Sequence, residues 1–251
     1  MSKNIVFIVN ISDPDKATRS APYQLSINSW KHWCDKNGYD LFVLDQRIYP
    51  KEIMNANWHK IFVLDLLESN EIDYNQVLIA DADTIINPVA PNIFDLTNNK
   101  MSVVRNYGSM DWVCRSYENY KKHLFPEISY SPIDYFNSGM IIINRAHKDF
   151  YTKVQKFYLA NYQNIQSIQQ TYGVGTDQPV LNFLTRKENI ELNFLPYEWN
   201  MQDMSRFEIL NQNLTFIEAG WLYHFCAIPG GDQSTKYWMN QTYNKLFKNK
   251  I

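Results

Sequence analysis

The chain has 251 residues, enough for one α/β domain, and a 45% hydrophobic and 15% aromatic content supplies the core such a domain needs. Lys and Arg total 24 against 26 Asp and Glu, a formal charge of −2, so the electrostatic footprint of a general nucleic-acid binder is missing. Cys34, Cys114 and Cys226 stand far apart with no Cys-x-x-Cys pair, which argues against a disulfide framework or a zinc ribbon and fits a reducing compartment.

Residues 5–9 read as a short buried strand. The run is too short for a signal segment or a membrane span, and no later stretch approaches a span, so the expected setting is cytoplasmic. Asn10 to Pro14 form a loop. Tyr23, Leu25, Ile27, Trp30 and Trp33 have helical spacing, Asn37-Gly38 ends that helix, and residues 40–44 make a second strand. Residues 58–68 read as a second helix with His59 and Lys60 on its solvent side, although a cation at position 60 also suits a nearby pyrophosphate. This helix feeds the apolar run 77–80. Strand, helix, strand, helix, strand implies a parallel sheet, and ligands collect beyond the carboxyl ends of such strands, where Asn10 to Asp13 and Asp81 to Asp83 both fall.

The run 77–80 ends in Asp81-Ala82-Asp83, and a second apolar run, 84–86, follows. In an extended chain residues two apart share a face, so both carboxylates reach one hard divalent cation while Ala82 turns away. Acidic residues also end strands simply by starting turns. Two carboxylates inside a core-like run are expensive unless compensated, and a bound cation compensates them.

Residues 101–104 form a strand, and residues 136–144 a turn leading into a strong one. There Gly139 permits a strained turn, and Asn137 and Ser138 offer hydrogen bonds to sugar hydroxyls, or merely start the strand. A long helix covers residues 150–170, residues 172–176 break it, and residues 177–184 form the next, with Thr176 or Asp177 as N-cap and Gln178 available to a reacting centre. Arg105 and Asp134 are open polar candidates. Residues 199–251 are aromatic-rich and irregular, a cap over the site. Residues 243–251 read as a frayed polar terminus, with contact to an anionic membrane surface as the other reading.

Within the cap stand His224, then Gly230-Gly231 and Lys236. A lone histidine among aromatic residues is more often a core residue, but imidazole suits a transition cation such as manganese and completes a shell begun by two carboxylates. Glycine lets backbone approach phosphate oxygens, and Lys236 neutralises a departing diphosphate.

In this order the pieces resemble the GT-A superfamily of nucleotide-sugar glycosyltransferases, most closely its family 8 and family 34 galactosyl- and xylosyltransferase-like members. The resemblance implies a GT-A fold: a Rossmann-like, mostly parallel central sheet flanked by helices, with an aromatic-rich C-terminal cap. It implies one domain over residues 1–251, with a nucleotide-sugar half to about residue 110 and an acceptor half beyond. It further implies a UDP-sugar donor held by Asn10, Ile11, Asp13, Lys60, Asp81, Ala82, Asn137, Gly231 and Lys236, and Mn²⁺ or Mg²⁺ on Asp81, Asp83 and His224. Gln178 and Asp177 then stand at the reacting sugar, which passes to a glycan hydroxyl with retention of configuration. Inversion instead requires a base such as Asp134 or Asp177. The ending departs from the family 8 pattern: extra residues separate His224 from Lys236, and Tyr237 stands where proline is usual. Two other readings of the same residues are a metal-dependent nucleotidyltransferase or phosphohydrolase, and a silent glycan- or nucleotide-binding module.

Overall fold

The computed structural model describes residues 3–12, 20–202, 204, 210 and 213–248. Its centre is a six-stranded sheet in the order β2-β1-β3-β6-β5-β7, built from β1 (Lys3–Val9), β2 (Asp40–Leu44), β3 (Tyr74–Ala80), β5 (Met101–Arg105), β6 (Phe136–Asn144) and β7 (Leu192–Phe194). A two-stranded sheet pairs β4 (Thr84–Ile86) with β8 (Leu222–His224). β1 lies parallel to β2 and β3, and β7 parallel to β5, whereas β6 runs antiparallel to both of its neighbours, β3 and β5. The sheet is thus mostly parallel, as expected, with one reversed strand in its middle.

Both faces of this sheet are covered, which is why β1, β3 and β6 are continuous apolar runs rather than alternating ones. Ile5, Phe7, Val77, Ile79, Ile141 and Ile143 point to one face, where they meet α2 (Val63–Ser69), α4 (Lys148–Tyr172) and α5 (Asp177–Lys187). Val6, Ile8, Leu78, Met140 and Ile142 point to the other, against Trp30 and Trp33 of α1 (Tyr23–Asn37). A third cluster packs Ile85 and Tyr223 of the small sheet against Met239 of α6 (Gly231–Tyr243).

The helix expected over 58–68 divides in two: residues Ala56–Phe62 form a 3₁₀ segment that leads into α2. His59 and Lys60 are both buried, contrary to the solvent-facing expectation, and Lys60 precedes the buried Val63, Leu64 and Leu67 at the spacing of one helical face. Helix α3 (Met110–Leu124), capped by the Ser109 hydroxyl, has no counterpart in the sequence reading. The end of the chain is also more regular than expected. It contains β8 and α6, and residues 244–248 continue α6 as a wide turn in which Leu246 is buried and Phe247 stacks on Tyr243. No helix among the described residues is long and apolar enough to cross a membrane.

Helix α1 stops where the sequence placed its end. Gly38 adopts the left-handed conformation at φ 71° and donates its N–H to the Cys34 carbonyl, with open space where a Cβ would stand. Gly38→Ala therefore meets only the backbone penalty, and urea denaturation is expected to show a loss of about 1 kcal/mol.

Candidate active site

Four segments meet beyond the carboxyl end of β3. The chain leaves Ala80 through a turn at 81–83, closed by the Thr84 hydroxyl donating to the Asp81 carbonyl (2.7 Å), and Trp30 of α1 donates its indole N–H to the same hydroxyl (3.0 Å). The two carboxylates converge through this turn, not through the extended chain that the spacing suggested. Opposite them, β8 pairs with β4 so that His224 faces Thr84, and the Phe225 N–H donates to the Asp83 carbonyl (2.8 Å). A backbone ladder thus carries a residue 141 positions away to the side of Asp83.

The reversed strand β6 supplies the floor. Because it runs antiparallel to β3, its first residues, not its last, lie at the end of β3, and the Asp81 N–H donates to the Gly139 carbonyl (2.9 Å). Its pairing with β5 jumps from Ile141 to Asn137 while β5 advances by one residue, so residues 138–140 bulge towards the crevice. Gly139 serves close approach rather than a strained turn. A Cβ there would lie 2.2 Å from Cε1 of the His224 ring.

Asp81, Asp83 and His224 each offer one ligand atom, all within 4.8 Å of one another. His224 Nε2 lies 3.2 Å from Asp83 Oδ1 and 4.0 Å from Asp81 Oδ2. Around an octahedral divalent ion with bonds of about 2.1 Å, ligand atoms stand roughly 3 to 4.2 Å apart, so the set fits a cation of the magnesium or manganese kind. The charge also fits. The single ammonium of Lys60 faces the carboxylates of Asp81 and Asp177, and with Asp83 the cluster keeps two excess negative charges when His224 is neutral.

Lys60 is the hub. It is only 2% exposed, and its ammonium donates to Asp81 Oδ1 (2.9 Å), Asp177 Oδ2 (2.8 Å) and the Ser138 carbonyl (3.1 Å), using all three N–H groups. Burial works against its charge, but Asp177 and Asp81 outweigh burial and raise its pKa above the ordinary lysine value. Burial likewise works against the Asp177 carboxylate. Lys60, with hydrogen bonds from Ser138 Oγ (2.8 Å) and Asn57 Nδ2 (2.7 Å), nevertheless holds Asp177 below the usual carboxylate range. An acid so held is a weak proton acceptor. For Asp81, burial prevails over Lys60 and the pKa rises. His59 is a structural residue: its ring bridges the Asn55 carbonyl and the Tyr49 N–H, and burial lowers its pKa.

A cavity of about 720 Å³ opens above this cluster. Asn10, Ile11, Lys60, Asp81, Ala82, Asp83, Asn137, Asp177, Gln178 and His224 all line it, so ten positions singled out in the sequence meet at one crevice. Gln178 is anchored, accepting from the Ser138 N–H (3.1 Å) and donating to Asn106 (3.3 Å). Asp13 lies outside the described residues. Gly231 and Lys236 are not among the cavity-lining residues; Lys236 is exposed on α6, and Gly230 and Gly231 have φ of 89° and 71°, so their glycines are explained by the turn into that helix. Asp134 pairs with Arg105 (3.0 Å) and also stands apart from the cavity. Asn57, Asn106, Trp112, Cys226 and Asn200 line or brace the site without having been singled out. Each is an isolated polar or aromatic residue with no spacing to mark it.

The family model for Glycosyl transferase family 8 matches residues 9–243. Among solved structures, a glycosyltransferase involved in glycosylation of the major capsid of PBCV-1 is similar over 95% of this chain and 98% of its own, with a TM-score of 0.61 at 10% identity. The galactosyltransferase LgtC, solved with donor and acceptor sugar analogs, is similar over 97% and 96%, with a TM-score of 0.53 at 15% identity. The bifunctional glycosyltransferase WbbM is similar over 90% of this chain and 46% of its own, with a TM-score of 0.54 at 17% identity. These likenesses show a GT-A fold. No curated protein sequence matches the chain significantly.

Two outcomes follow from the packing and charge of this cluster. Gly139→Ala is expected to push the His224 ring away from the two carboxylates and weaken Mn²⁺ binding at least about tenfold by calorimetry. Burial would lower the His224 pKa, but Cys226 and Asp83 beside the ring outweigh it and raise the pKa well above the ordinary histidine value. In the metal-free protein the ring therefore holds a proton more tightly than an ordinary histidine, and a bound cation would have to displace it. Mn²⁺ affinity should rise with pH by about tenfold per unit below the His224 pKa, while a His224→Ala variant loses this slope.

Proposed function

The chain belongs to glycosyl transferase family 8 and is a glycosyltransferase, and from that premise we propose that it moves a sugar from a UDP-sugar to a glycan hydroxyl with retention of configuration. The observation that carries the finer reading is the convergence of Asp81, Asp83 and His224 at the floor of the cavity, with a charge deficit that one divalent cation neutralises. Mn²⁺ or Mg²⁺ held by these three side chains would stabilise the negative charge that grows on the departing diphosphate.

The protein's own residues do the rest. Asn10 and Ile11 line the wall beyond β1, where the nucleoside is held, and Ala82 leaves room for it between the carboxylates. Lys60 holds Asp81 through a hydrogen bond to Oδ1 and offsets part of the burial that raises its pKa. Asp177 and Gln178, both on the first turn of α5, face the reacting sugar, where the Lys60 bond fixes the first and Ser138 and Asn106 fix the second. The half of the chain before about residue 110 contributes the donor wall. The later half contributes Trp112 and the residues around α5, which favour an acceptor on that side.

Retention is supported by the state of the carboxylates. Among the described residues, those lining the cavity are Asp81, Asp83 and Asp177; Lys60 holds Asp81 and Asp177, His224 stands against Asp83, and Asp81 and Asp83 would be the ones to hold the cation. With none free to act as a base, the leaving phosphate oxygen takes the acceptor's proton as the bond from sugar to phosphate breaks and the new glycosidic bond forms on the same face. A cytoplasmic setting belongs to the same reading, supported by three free cysteines.

UDP release from a panel of UDP-sugars, with Mn²⁺ or with chelator, tests the proposal. The expected result is metal-dependent release from one sugar, and a fall of at least about a hundredfold in kcat/KM for Asp83→Ala with the fold retained. Equal turnover in chelator, or unchanged Mn²⁺-dependent turnover in that variant, would sink the metal assignment. Cleavage within the diphosphate would instead identify a phosphohydrolase.

A further inference from the structure

His224 presents Nε2 to Asp83 and Asp81, and its other ring nitrogen lies 3.1 Å from Oδ1 of Asn200. Which of the two nitrogens carries the proton decides whether Nε2 has a lone pair to offer a cation. An imidazole beside an amide leaves that choice open, because a flipped asparagine would present a donor instead of an acceptor. Here the choice is closed by a chain of hydrogen bonds that ends on the backbone.

The Gly139 N–H donates to Asn137 Oδ1 (2.8 Å), and a backbone N–H cannot reverse its polarity. Asn137 must therefore turn its oxygen to that side. The same oxygen accepts from Asn200 Nδ2 (3.0 Å), so Asn200 must turn its nitrogen towards Asn137 and its oxygen towards the ring. An oxygen there requires a proton on His224 Nδ1, which leaves Nε2 bare in the neutral ring. The relay is shielded from water, since Asn200 is 0%, His224 3% and Asn137 6% exposed. The backbone holds the asparagine in place: Met201 donates its N–H to the Leu222 carbonyl (2.9 Å), and the His224 N–H donates to the Met201 carbonyl (3.1 Å), so Asn200 is clamped beside β8.

We propose that Asn200, oriented by Asn137 and the Gly139 N–H, is a positioning residue that locks His224 in the tautomer whose Nε2 ligates the divalent cation. The proposal rests on the reading of Asp81, Asp83 and His224 as a metal site, and extends it to two asparagines that touch neither cation nor carboxylate. It gives Asn137 a second task besides lining the cavity. It also explains why the middle of the Asn-Ser-Gly segment of β6 must bulge: the bulge brings the Gly139 N–H and the Asn137 oxygen together while Gly139 makes room for the ring.

The full chain labelled with ¹⁵N-histidine, saturated with diamagnetic Mg²⁺, reports the tautomer directly by NMR, and His224→Ala identifies the signal among the five histidines. The expected spectrum has the proton of His224 on Nδ1. Asn200→Leu, which matches the shape of asparagine but lacks its polar atoms, should lose this preference and weaken Mn²⁺ binding by about 10- to 100-fold, read from the EPR signal of free Mn²⁺. A wild-type signal with the proton on Nε2 overturns the relay without any variant, so failure of Asn200→Leu to fold does not shelter it. If His224→Ala loses Mn²⁺ affinity while Asn200→Leu keeps wild-type affinity and the Nδ1 proton, the relay alone is wrong. If His224→Ala binds Mn²⁺ as tightly as the wild type, the metal reading fails and the relay falls with it.

Discussion

Three carboxylates, Asp81, Asp83 and Asp177, converge at the end of β3 with a single buried ammonium between two of them. Burying such charges costs several kcal/mol each unless partners offset the loss of water, and the surrounding structure is arranged around that requirement. Lys60 spends every N–H it has on the cluster, and Ser138 and Asn57 complete the shell of Asp177. What remains unbalanced is negative and points into the cavity between Asp81, Asp83 and His224. The protein's interior therefore holds Asp177 below the usual carboxylate range, while Asp81 and Asp83 face the cavity beside His224, with ligand atoms close enough to share one cation.

The topology makes this possible. A purely parallel sheet would bring only the carboxyl ends of its strands to the crevice, but the reversed β6 delivers an amino-terminal end, with Asn137, Ser138 and Gly139, directly against Asp81. The small sheet adds the remaining partner, because pairing β4 with β8 fixes His224 against the turn that carries Asp83. Helix α1 then anchors that turn from behind through Trp30 and Thr84. Each ligand is thus held by backbone hydrogen bonds on at least one side, which limits the reorganisation needed when a substrate arrives.

Much of this was legible in the sequence, for identifiable reasons. The apolar runs at 5–9, 77–80 and 140–143 are continuous because both faces of the sheet are covered, and the pattern states as much. Asp81 and Asp83 were visible because carboxylates interrupt such a run, and His224 only through its conjunction with them. The hub was misplaced: the charge of Lys60 suggested solvent, yet it precedes the buried Val63, Leu64 and Leu67 by three, four and seven residues, the spacing of one helical face, and it is itself buried. Lys236 and Gly231 were chosen for their chemistry, but their helix lies outside the cavity. Strand β8 has three residues, too few to show a period, and Asn200 is a single polar residue whose meaning lies entirely in its neighbours.

The central claim is that the charge deficit at the end of β3 is a divalent-cation site. A crystal of the protein grown with Mn²⁺ and UDP, examined by anomalous scattering at the manganese edge, tests it most directly. The account predicts one anomalous peak within about 2.0 to 2.6 Å of Asp81, Asp83 and Nε2 of His224, with Lys60 still bonded to Asp81 and Asp177. No peak at these side chains, or a peak elsewhere in the cavity with His224 turned away from the carboxylates, would contradict it.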